Sequence, residues 1–304
     1  MNAYPGTNAI IVSEISDDFA EQRRYGIGGT DISAIAGINP WKSALTVYYE
    51  KTEGASVTAE SERMYWGTRL EPIIAEEAAR QHSLVIEEVP YILAHPDHLH
   101  FRASIDRLII DPERGNGVLE VKNMGHWSSQ RVRIESGEEA VPDHYLLQIQ
   151  WYLYVTGLQW GMFAALMEGS ELRTVEVKRD DELIASLVSI AEDFWACTEN
   201  GTPPAADGSD STADTLKLMF PKPISGTSVN LEPQYESLFA ERETIAAQIP
   251  PLEKRKKEID NQIKLLIGDA ETATCGPYTA TLKLTEKKES VVKASSFRTL
   301  RISA

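Results

Sequence analysis

Two runs rich in Ile, Val and Leu, residues 102–111 and 117–123, flank DPERGNG, a dense cluster of turn formers. That pattern predicts a β-hairpin. A longer apolar run, WGMFAALM at 160–167, predicts a strand with 172–177 as its hairpin partner. Elsewhere the spacing is helical. Residues 181–197 carry Leu183, Leu187, Ile190 and Phe194, and 143–157 (DHYLLQIQWYLYVTG) has a broad apolar surface that Asp143 can cap and Gly157 can end. From about Leu70 onward Ile73, Ile74, Ala78 and Ala79 share one side, and Pro72 predicts a kink or a late helix start. Nearer the N-terminus Gly28 and Gly29 precede Thr30, which can cap a short helix carrying Ile32 and Ile35. A second helix is predicted from Ser43, with Leu45, Val47, Tyr48 and Tyr49.

After residue 202 the character changes. PPAADGSDSTAD, then TLKLMFPKPISGT, reads as a linker with a short helix around 216–220. Beyond it Leu238, Ile245, Leu252, Ile259 and Leu266 recur every seven residues, the period of a helical seam. Pro250 and Pro251 interrupt that run and predict two helices or one kinked helix. The seam either packs on its own domain or a neighbouring helix, or associates with another copy. Residues 276–285 and the closing FRTLRI suggest a small strand pair. The division expected is a domain over 1–205, a linker over 206–230 and a helical and β extension over 231–304.

Strand alternation brings chemistry into this pattern. Glu120 and Lys122 must project to one face, Leu119 and Val121 to the other, and Asp106 on the neighbouring arm can join the first pair. Charge beside apolar neighbours is costly unless paired or bound to metal. Oxygen ligands of this sort suit Mg²⁺ or Mn²⁺, and the lysine can hold a water or offset charge on an attacked phosphate. Surface salt bridging is the plainer alternative. Asp106 followed at a distance by Glu120, Val121 and Lys122 resembles the PD-(D/E)XK nuclease signature.

Other candidates carry two readings each. Glu71 can join a metal site or simply favour the positive end of a helix. Gln148 and Tyr152 stand four apart, which puts an amide and a phenol on one helical face. Arg23, Arg24 and Thr30 beside two glycines make either a phosphate-binding corner or an ordinary capped helix behind a surface arginine pair. HPDHLH at 95–100 matches no helical ligand spacing and reads as a solvated loop rather than a metal cluster. The cations at 254–257 and Lys264 can face DNA or solvent.

Composition narrows the class. The 304 residues, 42% hydrophobic and 25% charged, describe an ordinary globular protein with room for one large domain or two. No run approaches the ~18 apolar residues of a membrane span, and MNAYPGTNAIIV lacks a signal-peptide layout, so a cytoplasmic location is expected. Two cysteines are too few for a disulfide framework, a four-cysteine zinc site or an iron-sulfur cluster. The net charge of −16 argues against nucleic-acid binding, because phosphate contacts need Lys and Arg. The balance is uneven, however: residues 250–304 hold eleven Lys or Arg against seven Asp or Glu. A local basic groove suffices for an enzyme.

Taken in order, RYGIGGTD (24–31), WGTRLEP (66–72), the Asp106, Glu120 and Lys122 set, and QIQWY (148–152) resemble the lambda exonuclease and YqaJ-type viral recombinase family, over about residues 22–195. The resemblance implies an α/β, restriction-endonuclease-like core, a central mixed β-sheet flanked by helices, here followed by the C-terminal helical extension with its small β-hairpin. It implies a Mg²⁺-dependent 5′-to-3′ exonuclease acting on linear double-stranded DNA, with Mn²⁺ able to substitute, leaving 3′ single-stranded overhangs for phage-type recombination. Asp106, Glu120 and the Val121 carbonyl would hold metal, Lys122 would position the attacking water, and Glu71 would assist. Gln148 and Tyr152 match the QxxxY motif shared with RecB-type nucleases, and Arg23 or Arg24 with Thr30 would form a 5′-phosphate pocket. The partners implied are double-stranded DNA ends, a single-strand annealing protein, and further copies of the chain in a ring, with no membrane. The rival readings are an endonuclease with the same metal core and a non-catalytic binding module of the same fold.

Overall fold

The computed structural model describes residues 2–15, 19–54, 62–125, 134–135, 138–286 and 298. The chain opens with strand β1 (Ile10–Glu14) and the short helices α1 (Phe19–Gln22), α2 (Gly29–Ile35) and α3 (Ala44–Thr52). Helix α4 (Glu62–His82) leads into strands β2 (Val85–Glu88), β3 (Tyr91–Ala94), β4 (Arg102–Ala103), β5 (Arg107–Ile110) and β6 (Gly117–Met124). A two-residue pair, β7 (Ile134–Glu135) and β8 (Glu138–Glu139), precedes helix α5 (Asp143–Thr156). Strands β9 (Trp160–Met167) and β10 (Glu171–Lys178) follow, then helices α6 (Asp181–Asn200) and α7 (Asp210–Met219). A 32-residue helix, α8 (Glu236–Ile267), and the hairpin β11 (Thr272–Cys275) and β12 (Tyr278–Thr281) complete the described elements.

Five strands form the central sheet in the order β10-β9-β6-β5-β2. Only β6 and β9 run parallel, with Glu120 opposite Phe163 and Lys122 opposite Ala165; the other neighbours are antiparallel. A second sheet has the order β1-β3-β4. The predicted hairpin over 102–123 is therefore present only in part. Its first arm divides, Arg102 and Ala103 pairing with β3 and Arg107 to Ile109 with β6. Asp106 sits in the bend between the two sheets.

Alternation along β6 separates two apolar layers. Leu119 and Val121 pack with Ile74, Ala75 and Ala78 of α4, while Val118 and Met124 pack with Ile149, Trp151 and Leu153 of α5 on the opposite face. Full burial of one such Ile or Leu side chain stabilises by roughly 1.5–3 kcal/mol. Fully buried Trp151 donates its indole N–H to the carbonyls of Ile27 (3.2 Å) and Arg102 (3.1 Å), tying α5 to both N-terminal segments.

Several helix ends differ from expectation. Helix α4 begins at Glu62 and passes through Pro72. Proline there forfeits one backbone hydrogen bond, and the layer of Ile74, Ala75 and Ala78 beneath it outweighs that loss. The cap of α2 is Gly28, not Thr30: Asp31 Oδ2 accepts from the Gly28 N–H at 3.1 Å. Pro142, not Asp143, occupies the N-cap of α5, while Gly157 ends it in the left-handed region (φ 74°). Helix α8 runs unbroken through Pro250 and Pro251. The histidine-bearing loop is half-buried, His95 stacking on Tyr154 and His100 on Trp195.

The chain divides into compact units over Met1–Phe220 and Pro221–Ala304. Helix α7 lies in the first because a buried hydroxyl cluster joins it to α3, where Thr46 Oγ1 lies 2.8 Å from Thr215 Oγ1 and Thr212 donates to Ser43 Oγ at 2.8 Å. Composition alone suggested linker there, since these hydroxyls read as solvent-seeking until they meet one another. Arg298 apart, the closing FRTLRI segment lies outside the described residues. Among the described residues no helix is long and apolar enough to cross a membrane.

Candidate functional site

Three structural elements converge on β6. Asp106, leaving the bend before β5, places Oδ2 where it accepts the Val121 N–H at 2.7 Å. Glu120 is fully buried. Its Oε1 accepts from Gln148 Nε2 of α5 at 2.7 Å and from Lys122 Nζ. Gln148 Nε2 also donates to the Tyr152 hydroxyl at 3.0 Å. A carboxylate only accepts, so the amide must turn its nitrogen towards Glu120. Lys122 lies over the Tyr145 ring, 5.3 Å from its centre.

The electrostatics follow from this crowding. Burial pushes Glu120 up to about 8, the Asp106 carboxylate adds to the rise, and Lys122 opposes it. Asp106 is raised by burial, against Lys122 and the Val121 N–H. Burial works against charge on Lys122, yet Glu120 and Asp106 together hold it above the usual lysine range. Tyr152 is held well above its ordinary value, first by burial and then by the same two carboxylates. Among the described residues Glu120 Oε2 is buried with no hydrogen-bond partner, an uncompensated acceptor of the kind that carries a substantial desolvation penalty.

Glu71, on α4, accepts from Arg107 Nη1 at 2.8 Å, and the same guanidinium nitrogen donates to the Asp106 carbonyl. Glu71 thus borders the site through Arg107, its carboxyl raised by burial and by Asp106. Arg107 was not foreseen, because an arginine inside an apolar strand gives no indication of what it will meet. Among the described residues no group of three or more His, Cys, Asp or Glu side chains is placed to hold a metal ion. The oxygen donors gathered here are the carboxylates of Asp106 and Glu120, with Glu71 at the border.

The arginine pair separates. Arg23 Nη2 donates to Thr30 Oγ1 at 2.7 Å and to Asp31 Oδ1 at 3.2 Å. Arg24 instead bonds the carbonyl of Thr52 (3.1 Å) at the end of α3 and pairs with Glu21. Asp31, fully buried, is the residue that the sequence reading missed. Lys51 Nζ lies 2.6 Å from its Oδ2 and Lys42 Nζ 3.2 Å from its Oδ1. Burial alone would raise this carboxyl, but Lys51, Lys42 and Arg23 hold it well below the usual range. Its spacing of three from Gly28 was the available signal. Gly29 brings this corner against the first site: a Cβ there would meet Tyr152 Cε1 at 2.4 Å and Gln148 Cγ at 2.9 Å.

Residues 18–159 match the YqaJ-like viral recombinase domain. The uncharacterized protein YqaJ of Bacillus subtilis is 32% identical over 276 residues, spanning 89% of this chain and 84% of that protein. The crystal structure of an alkaline exonuclease (LHK-Exo) from Laribacter hongkongensis superposes with a TM-score of 0.50 at 22% identity, over 61% of this chain and 94% of that one. The same enzyme in complex with dAMP gives the same figures. At that identity the likeness speaks to fold: a mixed sheet flanked by helices, of the restriction-endonuclease-like kind.

Proposed function

The chain belongs to the YqaJ-like viral recombinase family, and on that footing we propose that it is a Mg²⁺-dependent 5′-to-3′ exonuclease acting on the ends of linear double-stranded DNA. The observation that carries the proposal is Glu120: a fully buried carboxylate with Oε1 held by Gln148 and Lys122 and Oε2 left, among the described residues, without a partner. A purely structural glutamate would satisfy both oxygens. An all-oxygen donor set fits a hard divalent cation. Asp106, Glu120 and the Val121 carbonyl would hold it, and a bound Mg²⁺ supplies stabilisation of the charge that builds on the phosphate oxygens.

The chain's own groups do the rest. Gln148 holds Oε1 and so fixes the Glu120 rotamer with Oε2 open, while Tyr152 accepts the amide's other hydrogen and locks Gln148. Lys122 keeps its proton at neutral pH and, as a cation, orients the attacking water and offsets phosphate charge. Arg23 and Thr30, on the α2 side of Tyr152, would receive the 5′-phosphate. That the related alkaline exonuclease has been crystallised with dAMP, a 5′-mononucleotide, is in keeping with this reading.

The test is digestion of linear duplexes carrying a 5′-phosphate or 5′-hydroxyl and a labelled 3′ end, with and without Mg²⁺, beside a covalently closed circle. Release of 5′-mononucleotides from phosphorylated ends only with Mg²⁺, with the 3′ label retained and the circle intact, is expected. Cutting of the circle would establish an endonuclease instead, and inertness towards every substrate would end the nuclease reading.

A further inference from the structure

The loop between α2 and α3 sends two adjacent side chains to different places. Asn39 Oδ1 accepts the backbone N–H groups of Trp41 (2.9 Å) and Lys42 (3.1 Å), and Asn39 Nδ2 donates to Ser33 Oγ at 3.0 Å, so the turn is fastened to α2. Lys42 reaches the Asp31 corner. Trp41 reaches α5 instead, its ring 5.0 Å from that of His144 and 6.5 Å from that of Tyr145, the residue whose ring lies 5.3 Å from Lys122 Nζ. The loop thus joins the corner of Arg23 and Thr30 to the Glu120 site, and every one of these residues lies within the Met1–Phe220 unit.

Asp31 divides its two oxygens between different tasks. Oδ2 accepts from the Gly28 N–H and from Lys51, whose side chain is only 4% exposed. Oδ1 accepts from Arg23 Nη2 and Lys42 Nζ, both at 3.2 Å, and these side chains are 39% and 19% exposed. The two open cations therefore already converge on one carboxylate oxygen, with Thr30 Oγ1 2.7 Å from the same Arg23 nitrogen. Lys42 also pairs with Glu50. A guanidinium and an ammonium carry more N–H donors than these contacts use, so both can take a further oxygen. Among the described residues the corner sets Arg23, Lys42 and Lys51 against Asp31 and Glu50, an excess of one positive charge.

Trp41 has different surroundings from the tryptophans of the core. Trp151 and Trp160 are buried, whereas Trp41 is 51% exposed, with Arg63 Cζ 5.9 Å from its ring centre. An indole held in place, open and beside cations is suited to stacking on a nucleobase. Building on the exonuclease reading, we infer that this loop binds the 5′-terminal nucleotide of the substrate strand, Lys42 joining Arg23 and Thr30 on its phosphate and Trp41 stacking on its base. The strand then continues past Tyr145 towards Lys122 and Glu120.

The experiment measures binding of the full-length protein, without divalent metal, by fluorescence anisotropy on hairpin duplexes with one free end. That end carries a 5′-phosphate, a 5′-hydroxyl, or a 5′-phosphate on an abasic terminal nucleotide. Wild type is expected to bind the first most tightly. Lys42→Gln should cut the preference for phosphate over hydroxyl about tenfold, and Lys42→Arg should retain it. Trp41→Ala should cut the preference for base over abasic site about tenfold while keeping that for phosphate, and Trp41→Phe should retain most of both. A wild type indifferent to the 5′-phosphate ends the phosphate-corner reading and this inference with it. If wild type prefers the phosphate and both ratios survive in Lys42→Gln or Trp41→Ala, even with all three ends bound more weakly, the inference is overturned for that residue and the exonuclease reading stands.

Discussion

Gln148 and Glu120 meet across 2.7 Å, one on a helix and the other on the strand beneath it, and this hydrogen bond converges with that of Lys122 Nζ on the same oxygen, Oε1. Replacing Gln148 with Leu leaves Oε1 to Lys122 and loosens the orientation of the carboxylate. Activity is expected to fall about 10–100-fold, the usual effect of removing a group that orients a ligand. The melting temperature should change little, because a leucine fills the same buried volume. A single-turnover digestion assay and a thermal melt on the same preparation check both halves; unchanged turnover would show that Glu120 needs no support from α5.

Lys122→Ala is expected to retain the native circular dichroism spectrum while losing about 10²–10⁴-fold in nuclease rate, the range for removing a positioned proton-handling or charge-offsetting group. Duplex binding without Mg²⁺, measured by fluorescence anisotropy, should persist. Full Mg²⁺-dependent digestion by this variant would remove Lys122 from the chemistry.

The two arginines give a paired comparison. Arg23 stands by Thr30, and Arg24 caps the carbonyl end of α3. Arg23→Ala should erase the preference for 5′-phosphorylated over 5′-hydroxyl ends, whereas Arg24→Ala should keep that ratio and lower stability by roughly 1 kcal/mol through loss of its carbonyl contacts. An unchanged phosphate preference in Arg23→Ala would dissociate this corner from end recognition.

Asp31 should dominate the response to acid. Its carboxyl is depressed in the folded chain, so the stability it confers is fully present above the ordinary aspartate value of ~3.9 and is lost as pH falls through the lower folded value. Asp31→Asn leaves Lys51, Lys42 and Arg23 without their shared counter-charge, and a loss of roughly 3–5 kcal/mol at pH 7 is expected. Urea denaturation at pH 7 and pH 3 should show the gap between wild type and variant narrowing at the lower pH. An equal gap at both would mean that the carboxyl titrates normally.

Gly29 allows the closest approach between α2 and the helix bearing the QxxxY motif. A methyl group there would stand 2.4 Å from a ring carbon of the buried Tyr152. Gly29→Ala should therefore destabilise by about 1–3 kcal/mol through overpacking and lower activity with it, since the displaced ring holds Gln148. Wild-type stability together with wild-type rate would show that the two helices can part without consequence.

Much of this was legible in the sequence because it depends on short-range rules. Strand alternation put Glu120 and Lys122 on one face, and helical spacing put Gln148 and Tyr152 together; both arrangements are local, and the structure has them. What escaped were relations set by distant partners. Pro72 marks a break only if nothing below the helix compensates, and Ile74 with Ala75 and Ala78 does. Asp31 looks like a capping residue until Lys42 and Lys51, eleven and twenty positions away, are folded over it. The hydroxyls of α7 resembled linker because their partners lie some 165 residues earlier. Arg23 and Arg24, adjacent in sequence, could be told apart only by where α3 ends.

Asp106 occupies the turn through which the chain passes from the three-stranded sheet into the five-stranded one, and its side chain accepts the Val121 N–H of the five-stranded sheet. Correct placement of that carboxyl is thus a gauge of whether the two halves have docked in register. A chain still emerging from the ribosome, or one slipped by a residue, would hold Asp106 away from Glu120 and Lys122, so these three charged groups come together only when both sheets are in place.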